Sequence, residues 1–124
     1  MPRLDHAAFE TDDPDTTAAF YEQILGARLV KTEGQPVMAY VGNTSFAFHE
    51  RGGPGDHTAV RVSAGERAEI KRRLEQAGIE SEERDHEIAI GLFFRDPDGR
   101  QLEAITYRGG DDPRRALSRA ESLP

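Results

Sequence analysis

The stretch DHTAVRVSAGE, residues 56–66, decides the fold because it begins with the same Asp-His pattern as DHAAF, residues 5–9. In each copy an Asp-His pair opens a run of residues typical of a β-strand, and a helix follows. The two histidines are 51 residues apart. Gly26 and Gly78, which end the two predicted helices, keep nearly the same spacing. A tandem duplication is the simplest explanation of this pattern.

The first half predicts a strand over residues 4–10 followed by a helix. Asp13 is placed to cap the helix N-terminus, Pro14 suits the first helical position and Gly26 ends the helix. The side of this helix expected to face the sheet comprises Phe20, Tyr21, Ile24 and Leu25. Turn residues separate three more predicted strands, over residues 27–32, 37–41 and 45–49.

The second half predicts the same order of elements. Its first strand covers residues 57–62, and Ser63 with Glu66 fits a capping box at the start of the helix. The helix ends at Gly78, and its sheet-facing residues are expected to be Ile70, Leu74 and Ala77. Three strands follow, over residues 79–84, 88–94 and 101–107, with a turn at 96–99. Each half therefore predicts the order βαβββ, and the fold class is α+β.

The chain of 124 residues has the size of one domain. We assign residues 1–107 to that domain, with a first module over about 3–50 and a second over about 56–107. Residues 108–124 are polar and rich in Gly, Asp and Arg. They are expected to form a mobile tail or a loose terminal helix without chemistry.

Charge and composition exclude several classes of partner. The net charge of −7 argues against nucleic acid and anionic membranes. The sequence contains no secretory signal pattern and no apolar run long enough to span a bilayer, so we expect a cytoplasmic protein. It also contains no cysteine, so a transition-metal site would have to use histidine and carboxylate ligands.

Three candidate ligands fall on one face of the predicted sheet, because strand side chains alternate between faces. On the first strand Ala7 and Phe9 are expected beneath the helices, which leaves His6 on the other face. The same alternation places His57 and Glu103 on that other face. In the strands that contain His57 and Glu103, the residues expected beneath the helices are Thr58, Val60, Val62, Leu102, Ala104 and Thr106. The residues expected on the same face as these two ligands are Ala59, Arg61, Ile105 and Tyr107.

Two imidazoles and one carboxylate bind iron(II), manganese, nickel or zinc and leave coordination positions open for a substrate. Taken alone, each of these residues is also compatible with an ordinary role, since a strand histidine often packs in a core and a strand glutamate is often solvated. The equivalent positions of His6 and His57 in the two repeats favour a shared purpose. If the face curls into a cup, the three side chains can converge.

Three segments of the chain resemble the vicinal oxygen chelate superfamily, which includes glyoxalase I, extradiol dioxygenases, methylmalonyl-CoA epimerase, fosfomycin-modifying transferases and bleomycin-binding proteins. They are LDHAAF at residues 4–9, AAFYEQILG at 18–26 and FRDPDGRQLE at 94–103. The resemblance implies paired βαβββ modules in a cupped mixed sheet, with the helices on the outer face. It also implies a homodimer with sites shared between chains, in which the metal ligands are His6, His57 and Glu103.

A fourth ligand position is implied on the fourth strand, where glyoxalase I and the epimerase place Glu or Gln. The repeat offset maps Glu103 close to His49 or Glu50, and we expect His49 to face the metal if Phe46 and Phe48 pack beneath the helix. Either residue is a candidate fourth ligand or catalytic base. Fosfomycin transferases carry Thr and Tyr where this chain has Ala8 and Phe93, so that activity is not expected.

The leading hypothesis is a metal-dependent enzyme whose ion chelates two adjacent oxygens of a small substrate. Its reaction would be that of a glyoxalase-like lyase or isomerase, or of an extradiol-type dioxygenase, for which His49 and Tyr107 are possible auxiliary residues. The alternative is a non-catalytic protein that binds a small molecule, as bleomycin-binding proteins do. The residues expected to contact the substrate are Arg61, Phe93, Ile105 and Tyr107.

Overall fold

The structure is a computed structural model that describes residues 2–121. The described residues divide into two compact units. The first-half unit comprises residues 6–56 and 113–121, and the second-half unit comprises residues 2–5 and 57–112. Each unit therefore contains one of the two predicted modules, together with a short segment from the opposite end of the chain.

Eight strands and three helices are present within residues 2–121, as expected for the α+β class. None of these helices is long and apolar enough to cross a membrane. In chain order the elements are β1 (Arg3–Thr11), α1 (Pro14–Leu25), β2 (Arg28–Val30), β3 (Val37–Val41), β4 (Thr44–Glu50), β5 (His57–Arg61), α2 (Ala64–Gln76), β6 (Glu82–Asp85), β7 (Ala89–Arg95), β8 (Gln101–Tyr107) and α3 (Pro113–Glu121).

The two modules pair their strands in the same way. In the first-half unit β2 pairs with β3 and β3 with β4, both antiparallel, and β4 pairs with β1 in parallel. In the second-half unit β6 pairs with β7 and β7 with β8, both antiparallel, and β8 pairs with β5 in parallel. The predicted βαβββ repeat with mixed strand directions is confirmed.

Helix α1 begins and ends at the predicted residues. The side chain of Asp13 accepts a hydrogen bond from the backbone N–H of Thr16 at 3.2 Å, and Pro14 is the first helical residue. Gly26 follows the helix with φ of 69°, a left-handed conformation that glycine adopts without the steric penalty of a Cβ atom. Its N–H donates to the carbonyl oxygen of Glu22, which satisfies one of the helix's last carbonyls.

The face of α1 that contacts the sheet differs from the prediction. Ala18 is buried, and the ring of Tyr21 packs against Phe46 and Phe48 with both centroids 4.8 Å away. Because α1 contacts the sheet through Ala18 and Tyr21, the other sides of the helix face solvent. The prediction that Phe20, Ile24 and Leu25 face the sheet was wrong, since all three are more than half exposed.

Helix α2 has the predicted capping box: Ser63 Oγ accepts from the N–H of Glu66, and the Glu66 carboxylate accepts from the N–H of Ser63. At the other end the N–H groups of Gly78 and Ile79 donate to Glu75 and Leu74. Because the N–H of Ile79 donates to a helix carbonyl, Ile79 belongs to the end of the helix. Strand β6 begins at Glu82 and not at residue 79 as predicted. Ala77, predicted to face the sheet, is exposed at the helix end.

In the first-half unit, alternation of side chains produces two apolar clusters. Beneath α1 the buried residues include Ala39 and Phe48, with Phe46 packed beside them. The opposite face has its own cluster, in which Ala8 and Ala47 lie in adjacent strands. The predicted division of β1 and β4 between two faces is therefore confirmed for these residues.

The second-half unit shows the same division. Beneath α2, the cluster contains Val62, Leu74, Leu92 and Ala104. On the opposite face Ala59, Ala89, Ile105 and Tyr107 form a second cluster, as the alternation in β5 and β8 predicts. Thr58 lies outside the cluster that α2 covers and is exposed, so its predicted burial was wrong.

Helix α3 forms part of the segment predicted as a polar tail. Within the first-half unit it contacts β2, and the guanidinium of Arg115 lies over the Tyr40 ring at 5.7 Å. Arg114 is buried, and its Nη1 donates to the Gln35 side chain at 3.4 Å. Arg114 and Arg115 therefore have specific partners in the first half of the chain.

Candidate metal centre

Glu103 lies in β8, at the middle of the second-half sheet. It pairs with Ala59 of β5 on one side and with Phe93 of β7 on the other. Its side chain points to the face away from α2, and only 2% of the residue is exposed. A carboxylate buried to this extent is destabilising unless hydrogen bonds, opposite charges or a metal ion compensate for the lost hydration.

His57 is the first residue of β5 and lies next to the Glu103 carboxylate. Its Nε2 lies 3.3 Å from Oε1 of Glu103, and 7% of the residue is exposed. The edge of the Phe93 ring packs against the imidazole with the two centroids 5.2 Å apart. Within the second-half unit, the predicted ligands His57 and Glu103 thus lie together, with Phe93 beside them.

His86 is a member of this cluster that the sequence analysis missed. It lies in the loop between β6 and β7, and its Nε2 is 2.9 Å from Oε2 of Glu103. The Phe93 ring also packs edge-on against His86, at 5.8 Å between centroids. Only four histidines occur in the sequence, which is a signal that could have drawn attention to it. The long-range contact with Glu103 depends on the turn geometry, which the sequence pattern does not specify.

Gly91 creates the space that the Glu103 carboxylate occupies. A Cβ atom at this position would lie 2.9 Å from both Cδ of Glu103 and Nε2 of His86, and closer still to Oε2. Gly91 pairs with Ile105 on the neighbouring strand, so it lies on the same face as the carboxylate. A side chain at this position would displace the cluster.

The third predicted ligand, His6, lies in β1 of the first-half unit. It pairs with Ser45 of β4, and 9% of the residue is exposed. The next residue on the same face, Ala8, pairs with Ala47. In the second half Ala59 pairs with Glu103, so the register makes Ala47 the repeat equivalent of Glu103.

The register corrects the mapping of Glu103 onto residues 49 and 50. His49 and Glu50 lie two and three positions beyond Ala47, where they pair with Glu10 and Thr11. His49 is half-buried and Glu50 is exposed at the end of β4. The offset between the repeats misplaced the equivalent position because the segment after the helix differs in length between the two halves.

Arg61 and Tyr107, predicted as substrate contacts, belong to a buried network in the second-half unit. Asp5 Oδ1 accepts hydrogen bonds from Arg61 Nε at 3.0 Å and Nη2 at 2.7 Å, and Oδ2 accepts from the Tyr107 hydroxyl at 2.6 Å. Arg61 Nη1 donates to Asp111 at 2.6 Å. Burial opposes the charge on Arg61, but the hydrogen bonds and charges of Asp5 and Asp111 raise the pKa of the guanidinium above its usual value.

The remaining predicted substrate contacts, Phe93 and Ile105, lie on the face of Glu103 and are buried. The guanidinium of Arg84 covers the Phe93 ring at 4.5 Å from its centroid. Ile105 packs with Ala59 and Ala89 in the apolar cluster. The surroundings of Glu103 thus combine two imidazoles, one aromatic ring and aliphatic side chains.

These donors suit a divalent metal ion. An imidazole nitrogen and a carboxylate oxygen already face each other in the second-half unit, and both residues are buried. Both atom types bind iron(II), manganese, nickel and zinc. His57 and Glu103 could therefore form part of a metal site, and His6 is a third buried residue that offers a ligand atom.

A sequence model of the Glyoxalase/Bleomycin resistance protein/Dioxygenase superfamily matches residues 3–104. The chain belongs to this superfamily. The match covers the first module, the second module as far as residue 104 within β8, and the three predicted ligands, so the resemblance seen in the sequence motifs is confirmed. It ends before α3.

Among proteins of this superfamily, the chain is 26% identical over 130 residues to a lactoylglutathione lyase of Neisseria meningitidis, covering 89% of this chain and 94% of the relative. Its structure resembles methylmalonyl-CoA epimerase from Mycobacterium tuberculosis, with 21% identity, a TM-score of 0.68, and 93% and 91% of the two chains covered. It also resembles 2,2',3-trihydroxybiphenyl 1,2-dioxygenase from Sphingomonas wittichii, with 19% identity, a TM-score of 0.60, and 90% and 43% covered. At these identities the two structural matches establish the fold only.

Proposed function

We propose that this protein is a metal-dependent enzyme that binds two adjacent oxygens of a small substrate, with His6, His57 and Glu103 as the metal ligands. The observation that carries the proposal is the buried Glu103 carboxylate facing His57 Nε2 at 3.3 Å. Each of the three residues is buried and offers one nitrogen or oxygen atom to an ion. When bound, the ion would act as a Lewis acid toward the substrate oxygens.

Within the superfamily, the residue at position 47 favours dioxygenase-type chemistry over glyoxalase-type chemistry. Glyoxalase I and the epimerase are expected to place a Glu or Gln ligand on the fourth strand. Here the register equivalent of Glu103 is Ala47, whose methyl group cannot bind an ion. Two histidines and one carboxylate with open positions are the ligand set of non-haem iron(II) oxygenases. We therefore propose iron(II) as the metal and dioxygen as the co-substrate.

The side chains around Glu103 suggest the class of substrate. Phe93 and Ile105 offer an aromatic and an aliphatic surface beside the carboxylate, which suits a planar aromatic ring. A catechol presents two adjacent oxygens on such a ring. Arg61 and Tyr107 are proposed to contribute through their shared partner Asp5, which holds both side chains in place.

We also propose that the protein is a homodimer. Phe20 and Ile24 lie one turn apart on α1, and each is about 60% exposed. Exposed apolar side chains that adjoin on one helix face offer a surface that a second copy could cover. The superfamily resemblance also implies that His6 of one copy completes the ligand set of His57 and Glu103 in the other. Because these ligands lie on the faces away from the helices, such sharing would use a contact surface other than that of Phe20 and Ile24.

The decisive experiment is anaerobic purification followed by metal analysis and two activity screens. We expect stoichiometric binding of iron(II), oxygen consumption with catechols and no turnover of hemithioacetals. His57→Ala and Glu103→Gln should lose the metal, whereas Glu82→Gln, an exposed strand residue, should retain it. Absence of metal binding by the wild-type protein would refute the proposal, and lactoylglutathione formation would replace the dioxygenase with a lyase.

Two further outcomes are informative. Tight binding of an aromatic compound that survives chelation and Glu103→Gln would identify a non-catalytic binding protein. Mixing His6→Ala and His57→Ala protein tests the shared site, because a mixed dimer then contains one intact ligand set. Random mixing should restore about a quarter of the wild-type activity if ligands are shared between copies. No recovery would place all three ligands in one chain.

A further inference from the structure

We propose that His86 is a positioning residue that holds the Glu103 carboxylate in the orientation required for metal binding. This inference rests on the proposed function, because it assigns His86 a role toward the same ion. His86 is not one of the three ligands. Its contact with Glu103 joins the β6–β7 loop to the buried carboxylate.

The two oxygens of Glu103 have different neighbours. Oε1 lies 3.3 Å from His57 Nε2, and Oε2 lies 2.9 Å from His86 Nε2. As a metal ligand Glu103 would be ionised and would only accept hydrogen bonds, so in this role His86 would donate from Nε2. A hydrogen bond to Oε2 fixes the rotation of the carboxylate and leaves Oε1, on the side of His57, for the ion.

The loop that carries His86 is held by several hydrogen bonds. The N–H of His86 donates to the Ala89 carbonyl at 2.8 Å, which closes the turn into β7. Arg108 Nε donates to the Glu87 carbonyl at 2.7 Å, and its Nη2 donates to Asp85 at 2.7 Å. These contacts on both sides of His86 preorganise the imidazole.

Packing restricts the imidazole further. The Phe93 ring lies edge-on to both His86 and His57, so one aromatic side chain supports both histidines. Gly91 leaves the space in which His86 and Glu103 meet. The side chain of His86 is 34% exposed whereas that of Glu103 is 2% exposed, so His86 also separates the carboxylate from solvent. Residues that orient metal ligands in this way commonly change metal affinity about 10- to 100-fold when replaced.

The test compares His86→Phe, which keeps an aromatic ring but removes the N–H, with His86→Gln, which keeps an amide N–H donor. Affinity for iron(II) or cobalt(II) is measured by competition with a chromophoric chelator, and the cobalt(II) absorption spectrum reports the ligand geometry. Thermal unfolding of the metal-free variants shows whether each one folds. Glu87→Gln, exposed on the same loop, is the matched control.

We expect His86→Phe to bind the metal about 10- to 100-fold more weakly and to shift the cobalt spectrum. His86→Gln should restore most of the affinity and the wild-type spectrum, and the control should match wild type. Equal weakening of both variants would show that an N–H donor at this position does not restore affinity, and would overturn the proposed hydrogen-bond role. Wild-type affinity in His86→Phe would overturn it as well, while leaving the proposed function intact. If the wild-type protein binds no divalent metal, the proposed function and this inference fall together.

Discussion

Replacing Gly91 by alanine should disturb the metal centre directly, because the new methyl group enters the space of the Glu103 carboxylate. The Cβ atom would lie 2.9 Å from Cδ of Glu103. Carbon atoms pack best at about 3.5 Å or more, so the carboxylate would have to move by about 0.6 Å at least. Nε2 of His86 would lie equally close to the new Cβ atom and would block movement of the carboxylate in that direction.

Overpacking of this kind costs about 1–3 kcal/mol of unfolding free energy. For a domain of this size, that corresponds to a fall in melting temperature of roughly 4–12 °C. Displacement of the carboxylate should also weaken metal binding by at least about tenfold. Thermal unfolding of the metal-free protein and a chelator-competition titration measure the two effects separately.

Gly65→Ala is the matched control for this substitution. Gly65 lies in the first turn of α2, where a Cβ atom would meet only Ser63 Oγ, at 4.0 Å. Because alanine favours the helix, this variant should gain about 0.5–1 kcal/mol and bind metal like wild type. A Gly91→Ala protein with unchanged melting temperature and unchanged metal affinity would refute the account of the carboxylate's surroundings.

Three further predictions address the ligand, the buried network and the helix cap. Glu103→Gln should abolish metal binding while far-UV circular dichroism stays native, since the amide keeps the shape but loses the charge; retained stoichiometric metal would contradict its role as a ligand. Asp5→Ala should lower the unfolding free energy in urea by about 3–5 kcal/mol, because Arg61 stays buried without its main partner; a loss below about 1 kcal/mol would contradict this. Ser63→Ala should cost about 1 kcal/mol through loss of the capping box, with the exposed Ser81→Ala unchanged.

Local signals predicted the order of the elements well. Asp13, Pro14 and the Ser63–Glu66 pair act through hydrogen bonds within a few residues, and each lies where its motif predicts. Alternation also divided β8 correctly, with Glu103 and Ile105 on the face away from α2. These features depend on the neighbouring sequence, which is why the sequence alone contains them.

Features that depend on distant contacts were not predictable in the same way. The exposure of Phe20 depends on which side of α1 contacts the sheet. Apolar residues lie on more than one side of this helix, so the sequence alone does not select the side that is buried. The contact of His86 with Glu103 requires the turn at residues 86–89 and the absence of a side chain at Gly91. The equivalence of Ala47 and Glu103 requires strand register, which an offset between repeats approximates only to within a few residues.

The division of the chain into units has a consequence for fragment complementation. A cut in the loop before His57 would leave Asp5 on one fragment and its partners Arg61 and Tyr107 on the other. The same cut would separate α3 from β2, which it contacts in the first-half unit. Neither fragment would carry all the residues of one unit, so each should fold poorly when expressed alone. Co-expression of the two should restore both units, which makes this chain a candidate for a split reporter.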